Sequence, residues 1–134
     1  MNFVSIRIIT AEIQRLVAFY EKISGLAARW YTEDFAEIST RACTLAIASE
    51  RTMKLFAEGA AQAANNRSVI VEFLVSDVDA EYRKLAPVIG RAVQEPTTMP
   101  WGNRSLLFRD PDGNLVNFFT PVSDDAIEKF ARRA

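Results

Sequence analysis

The chain has 134 residues, the length of one ordinary domain, and its 49% hydrophobic and 25% charged content excludes a disordered or fibrous polymer. Its 16 basic and 17 acidic residues leave a net charge of -1, so no global field draws it to nucleic acid or to an anionic membrane. The absence of histidine excludes Ser/His/Asp triads, Cys/His dyads and every metal site built on imidazole. Cys43 has no second cysteine to pair with, which points to a reducing compartment, and it reads as a small buried hydrophobe. No basic region precedes the apolar N-terminus, and no apolar run approaches the ~20 residues that span a bilayer. A soluble, cytoplasmic protein is expected.

Residues 3 to 9 alternate as a strand, with Val4, Ile6 and Ile8 on one face and Phe3, Ser5, Arg7 and Ile9 on the other. A helix should follow, capped by Thr10, with Glu12 in its first turn. Its apolar stripe is Ile13, Leu16, Val17, Tyr20 and Ile23, and Gly25 ends it. Short strands fit near 27 to 33, 36 to 40 and 43 to 49, separated by the polar turns at Glu33-Asp34 and Thr40-Arg41. Residues 50 to 67 are rich in Ala, Gln and Asn and fit a connecting loop with one short helix.

The pattern then begins again. A strand over 69 to 75 leads to a helix start at Ser76 with Asp79 three residues later, and Val78, Tyr82, Leu85 and Ile89 form a stripe before Gly90. Strands fit near 92 to 95, 103 to 109 and 114 to 120. A shift of 65 positions lays Val4 on Val69, Ile6 on Val71, Arg7 on Glu72 and Ile13 on Val78, an internal repeat in pattern more than in identity. Residues 123 to 134 read as a terminal helix, with Asp124 and Asp125 at its start, Arg132 and Arg133 at its end, and Ile127 and Phe130 to dock it. The expected organisation is one α+β domain: a βαβββ unit over 1–49, a connection over 50–67, a second βαβββ unit over 68–121 and a helix over 122–134.

The segments FYEKISGL (19 to 26), SDVDA (76 to 80) and PWGNRSLLFRDPDGN (100 to 114), set within paired βαβββ units, resemble the vicinal oxygen chelate superfamily of glyoxalases, extradiol dioxygenases, fosfomycin-resistance enzymes and bleomycin-resistance proteins. The resemblance implies a curved cup of sheet with helices outside. It also implies four positions at which the enzymes of that family hold a divalent metal, and here those positions are Ser5, Ala46, Ile70 and Asn117. None is an anionic or imidazole ligand. This departure places the chain beside the bleomycin-resistance proteins, which use the cup to sequester a drug and which are twofold dimers.

Strand alternation puts Phe3, Ser5 and Arg7, then Ile70, Glu72 and Leu74, then Leu115, Asn117 and Phe119 on the face that would line such a cup. Arg7 and Glu72 occupy equivalent places in the repeat. They read either as a buried ion pair filling the place of a metal, or as contacts to a guest, Arg7 to an oxyanion and Glu72 to a cationic amine. Trp30, Tyr31 and Trp101 are candidate aromatic platforms for a planar or cationic ligand, and by resemblance the PWG segment lies near the mouth of the cup.

The expected ligand-binding residues are Ser5, Arg7, Trp30, Glu72, Trp101, Asn117 and Phe119, with no metal, no cofactor and no catalytic residue. The expected function is metal-independent binding of a small organic, drug- or antibiotic-like molecule by a homodimer. The rival is a lyase or dioxygenase-like enzyme of the same superfamily, with divergent metal ligands or with Glu72 as a base in a dry cavity. A dimeric interaction module with a filled cup is a third reading.

Overall fold

The computed structural model describes residues 1–132, so Arg133, expected at the end of the terminal helix, lies outside the described residues. The chain divides into two compact units, the first over Met1–Asn66 and the second from Arg67 onward.

Unit 1 runs β1 (Ser5–Thr10), α1 (Ile13–Ser24), β2 (Arg29–Thr32), β3 (Phe35–Ser39) and β4 (Thr44–Ser49), with a 3-10 turn (Glu50–Thr52) running into α2 (Met53–Phe56). The sheet order is β1-β4-β3-β2, with β1 parallel to β4 and the other pairs antiparallel. The helical periodicity decides what α1 covers: Ile13, Leu16, Val17, Tyr20 and Ile23 are the buried stripe, the same five residues expected from spacing. They pack over Ala36, Ile38, Leu45 and Ile47, all buried, and each large side chain so buried contributes about 1.5–3 kcal/mol. Gly25 ends the helix in the left-handed conformation at φ 71°, and its N–H donates to Glu21 O.

The helix starts later than Thr10 suggested. Thr10 Oγ1 accepts from Glu12 N at 3.2 Å, and Glu12 is itself the residue before the first turn, where its carboxylate pairs with Arg15 at 3.1 Å. The strand also starts later, at Ser5, so Phe3 and Val4 lie outside it and are 81% and 64% exposed rather than packed. Cys43 is exposed, not buried, because it stands in the bend before β4.

Unit 2 repeats the plan: β5 (Ile70–Leu74), α3 (Val78–Ile89), β6 (Gln94–Thr98), β7 (Asn103–Arg109), β8 (Leu115–Pro121) and α4 (Asp124–Phe130), with sheet order β5-β8-β7-β6. The helices Ile13–Ser24 and Val78–Ile89 stand 65 residues apart at both ends, the offset of the sequence repeat. This is an α+β fold of two like βαβββ modules.

Buried Val78, Leu85 and Ile89 hold α3 against Leu106, Phe108, Val116 and Phe118, while Tyr82 is only half-buried and donates from its hydroxyl to Glu95 at 3.2 Å. The N-cap is Asp77, whose carboxylate accepts from Ala80 N at 3.0 Å, one residue after the expected Ser76. Asp79 is thereby free to take Arg104 of β7 through two bonds of 2.7 and 2.9 Å, tying the start of α3 to the sheet. A second tie is Thr120 Oγ1, which accepts from Val78 N and donates to Val75 O.

Candidate functional site

In a sheet, register decides which side chains share a face. In unit 1 the parallel pairing sets Arg7 beside Ala46, and the antiparallel pairings continue that row through Glu37 to Arg29. In unit 2 the equivalent row is Glu72, Asn117, Leu107 and Gln94. Both rows lie on the face opposite the one packed by α1 or α3. Ala46 thus stands in unit 1 where Asn117 stands in unit 2, the repeat of the sequence made spatial.

One end of each of these faces is covered by the segment that follows the unit's last strand. In unit 1, Met53 of α2 packs on Ile9 and Ala48 with Phe35 against them. In unit 2, Phe119 meets Phe130 of α4 edge-on, ring centres 5.1 Å apart, and is only 6% exposed. Phe119, expected to line a cavity, is therefore engaged by the terminal helix, which docks through Phe130 and the buried Ala126 while Ile127 stays 50% exposed. Sequence spacing put Phe119 on the correct face but carried no sign that α4 folds over it.

The next rows stay accessible. Arg7 is exposed, and its guanidinium carbon lies 4.9 Å from the Phe35 ring centre and 5.7 Å from that of Phe56. Ser5 is exposed beside Thr44, whose hydroxyl is bonded to that of Ser39 at 2.9 Å. Glu72 is exposed as well.

Asn117 is buried on this face, 9% exposed, as is Ser105 in the row of Phe119. Its Nδ2 donates to Glu72 Oε2 at 2.7 Å, and its Oδ1 accepts no hydrogen bond among the described residues. Rotating the amide would set an oxygen against the carboxylate, so the donor to Glu72 fixes the orientation. The surrounding pairs in register, Ile70 with Leu115 and Asn117 with Leu107, bring apolar side chains. A buried acceptor left so costs about 1–3 kcal/mol.

The aromatic candidates separate. Trp30 pairs with Ala36, which α1 covers, so Trp30 belongs to the helix face and not to the face of Arg7. The irregular pairing between Trp30 and Thr32 instead turns Tyr31 toward Phe35, 5.8 Å between ring centres, with Arg29 4.9 Å over the Tyr31 ring. Nothing in the alternation of ARWYT signals such a bulge. Trp101 is 67% exposed at the turn between β6 and β7, where Gly102 N donates to Met99 O. Gly102 adopts φ +93°, and a Cβ there would meet Ser123 Oγ at 1.9 Å, so the PWG turn and the start of α4 are built against each other.

The DPDGN segment that carries the chain into β8 is a closed turn. Asp110 accepts from the Asp112 and Asn114 backbone and from Asn114 Nδ2, all at 2.8–2.9 Å, and both Asp110 and Asn114 are buried. This rigid turn sets the register that brings Asn117 to Glu72.

Residues 2–118 match the Glyoxalase/Bleomycin resistance protein/Dioxygenase superfamily. The chain belongs to that superfamily. A superfamily protein from Nocardioides, a glyoxalase/bleomycin resistance protein/dioxygenase, superposes with a TM-score of 0.75 at 21% identity over 92% of this chain and 85% of that one. A protein of unknown function from Agrobacterium tumefaciens gives 0.77 at 25% identity, over 91% and 95% of the two chains. In sequence, the uncharacterised protein YraH of Bacillus subtilis is 27% identical over 129 residues, covering 89% of this chain and 98% of its own length.

Proposed function

We propose that this superfamily member is a metal-independent small-molecule-binding protein of the glyoxalase/bleomycin-resistance type, taking a drug- or antibiotic-like organic guest. The observation that carries the reading is the donor set. By the family resemblance, Ser5, Ala46, Ile70 and Asn117 stand at the four positions where the superfamily's enzymes hold a metal. A methyl and a branched alkyl group coordinate nothing, and one hydroxyl with one neutral amide leaves most of a divalent ion's hydration uncompensated. Asn117 has in addition committed its nitrogen to Glu72. These residues do not fit the superfamily's metal, and no reaction step is derived through one.

The chemistry left to such a surface is recognition. An oriented polar pair among apolar neighbours, Glu72 and Asn117 beside Leu107 and Leu115, is the composition of an organic-ligand site. Within unit 1, Arg7 over Phe35 sets a cation on a flat ring, and within unit 2 Trp101 is exposed. The same reading takes the protein to be a twofold dimer in the cytoplasm, and sedimentation equilibrium that finds only monomer at micromolar concentration overturns the dimer.

A thermal-shift screen with aromatic drugs, antibiotics, organic acids and organic amines tests the function. A ligand at about 100 times its dissociation constant stabilises the protein by about 2.7 kcal/mol. Failure of every class to raise the melting temperature, or an equal shift in an Arg7→Ala/Glu72→Ala variant, overturns it.

A further inference from the structure

We propose that Glu72 and Asn117 form a subsite for an organic cation that carries its charge on N–H groups, a primary ammonium or an amidinium. The inference rests on the small-molecule-binding reading and narrows it to one ligand class.

Parallel pairing of β5 with β8 sets Glu72 directly beside Asn117. The 2.7 Å bond from Nδ2 to Oε2 uses one of the two amide hydrogens, and the acceptors the pair still offers are the carboxylate of an exposed glutamate and the buried amide oxygen that accepts no hydrogen bond among the described residues. The nearest side chains in register are the aliphatic Ile70, Leu115 and Leu107, while Arg109, beside Leu115, donates to Gly113 O and the Ser105 hydroxyl stands one row on, beside Phe119. A guest complementary to this patch brings one positive charge and at least two N–H donors, one for Oδ1 and one for the carboxylate, while its carbon frame lies on the three aliphatic side chains.

Each alternative fails on one of these counts. An anion meets the like charge of the Glu72 carboxylate. A neutral alcohol satisfies Oδ1 but leaves the glutamate uncompensated, and a quaternary ammonium compensates the charge but has no hydrogen for Oδ1. The pair therefore discriminates by hydrogen count as well as by charge, which a merely acidic surface patch does not.

Titration calorimetry on the full chain with benzamidine, benzylamine, benzyltrimethylammonium, benzyl alcohol and benzoate tests the subsite. Benzamidine and benzylamine are expected to bind at least about tenfold more tightly than the other three, the scale of one charge-assisted hydrogen bond. Glu72→Gln, at an exposed position, should keep the wild-type melting temperature and lose about tenfold in affinity for both N–H cations. The side-chain amide proton resonances of Asn117 should move with those two probes and not with benzyl alcohol. Equal binding of benzyltrimethylammonium or benzyl alcohol, an unchanged affinity in Glu72→Gln, or no binding of the N–H cations overturns the proposal. If acids or neutral aromatics bind in the wider screen while benzamidine and benzylamine fail, the subsite falls and the binding-protein reading stands. If nothing binds in either experiment, both fall.

Discussion

Asn117 donates from Nδ2 to Glu72 Oε2 at 2.7 Å, and that single bond turns its Oδ1 into a buried acceptor without a donor. Asn117→Leu removes the orphaned oxygen together with the bond to Glu72. The two effects oppose each other, and the variant is expected to unfold in urea within about 1 kcal/mol of wild type. Asn117→Asp instead sets a second carboxylate against Glu72 and should cost about 1–3 kcal/mol at pH 7. Repulsion raises the folded-state pKa of that pair above its unfolded value, so the cost is present at high pH and disappears below about pH 4. Equal losses at pH 4 and pH 7 would sink the account.

The Asp79–Arg104 pair makes a pH prediction of opposite sign. The hydrogen bonds from Arg104 hold the Asp79 carboxyl below its ordinary 3.8, outweighing partial desolvation. A carboxyl whose folded pKa is depressed stabilises the fold above its unfolded pKa, and the contribution is lost as pH falls from 3.8 through the lower folded value. In Asp79→Asn the urea midpoint should fall less steeply below pH 4 than in wild type. Identical acid limbs would mean that the pair adds nothing to the sheet–helix junction.

Gly102→Ala is expected to destabilise the protein by about 2 kcal/mol or more, since it combines a strained positive φ with a steric clash. The new Cβ would meet Ser123, whose hydroxyl caps α4 by accepting from Ala126 N at 3.2 Å. Amide exchange should accelerate across Asp124–Phe130 and near Phe119, which α4 covers. A melting temperature equal to wild type would show that the turn and helix shift apart freely.

Protein purified without chelator should carry far less than one equivalent of zinc, iron, manganese or nickel, and EDTA should leave its melting temperature unchanged. Stoichiometric metal on elemental analysis would replace the binding-protein reading by the lyase or dioxygenase-like one.

Much of the fold is legible because it rests on periodicity. The α1 stripe Ile13, Leu16, Val17, Tyr20 and Ile23 is buried as its 3.6-residue spacing requires, and the strand over Asn103–Arg109 falls where its apolar run lies. Helix starts were less legible. Thr10 and Ser76 have the right chemistry for a cap, yet Glu12 and Asp77 hold the cap positions, because the ties through Thr120 and Arg104 select the first turn of α3 from outside it. Alternation put Glu72, Asn117 and Phe119 on one face of unit 2 and Arg7 on the corresponding face of unit 1, as the pairing has them, whereas Trp30, singled out as an aromatic and not by alternation, pairs with Ala36 on the helix side.

By itself the sequence determined that two βαβββ units are built on one plan, since that follows from residue type and local period. Only the tertiary structure decided that α4 covers Phe119, that Tyr31 rather than Trp30 shares the face of Arg7, and that Asn117 donates one amide hydrogen to Glu72. Those outcomes depend on register and on contacts between residues far apart in the chain, such as the 45 positions separating Glu72 from Asn117, and side-chain period carries no record of either.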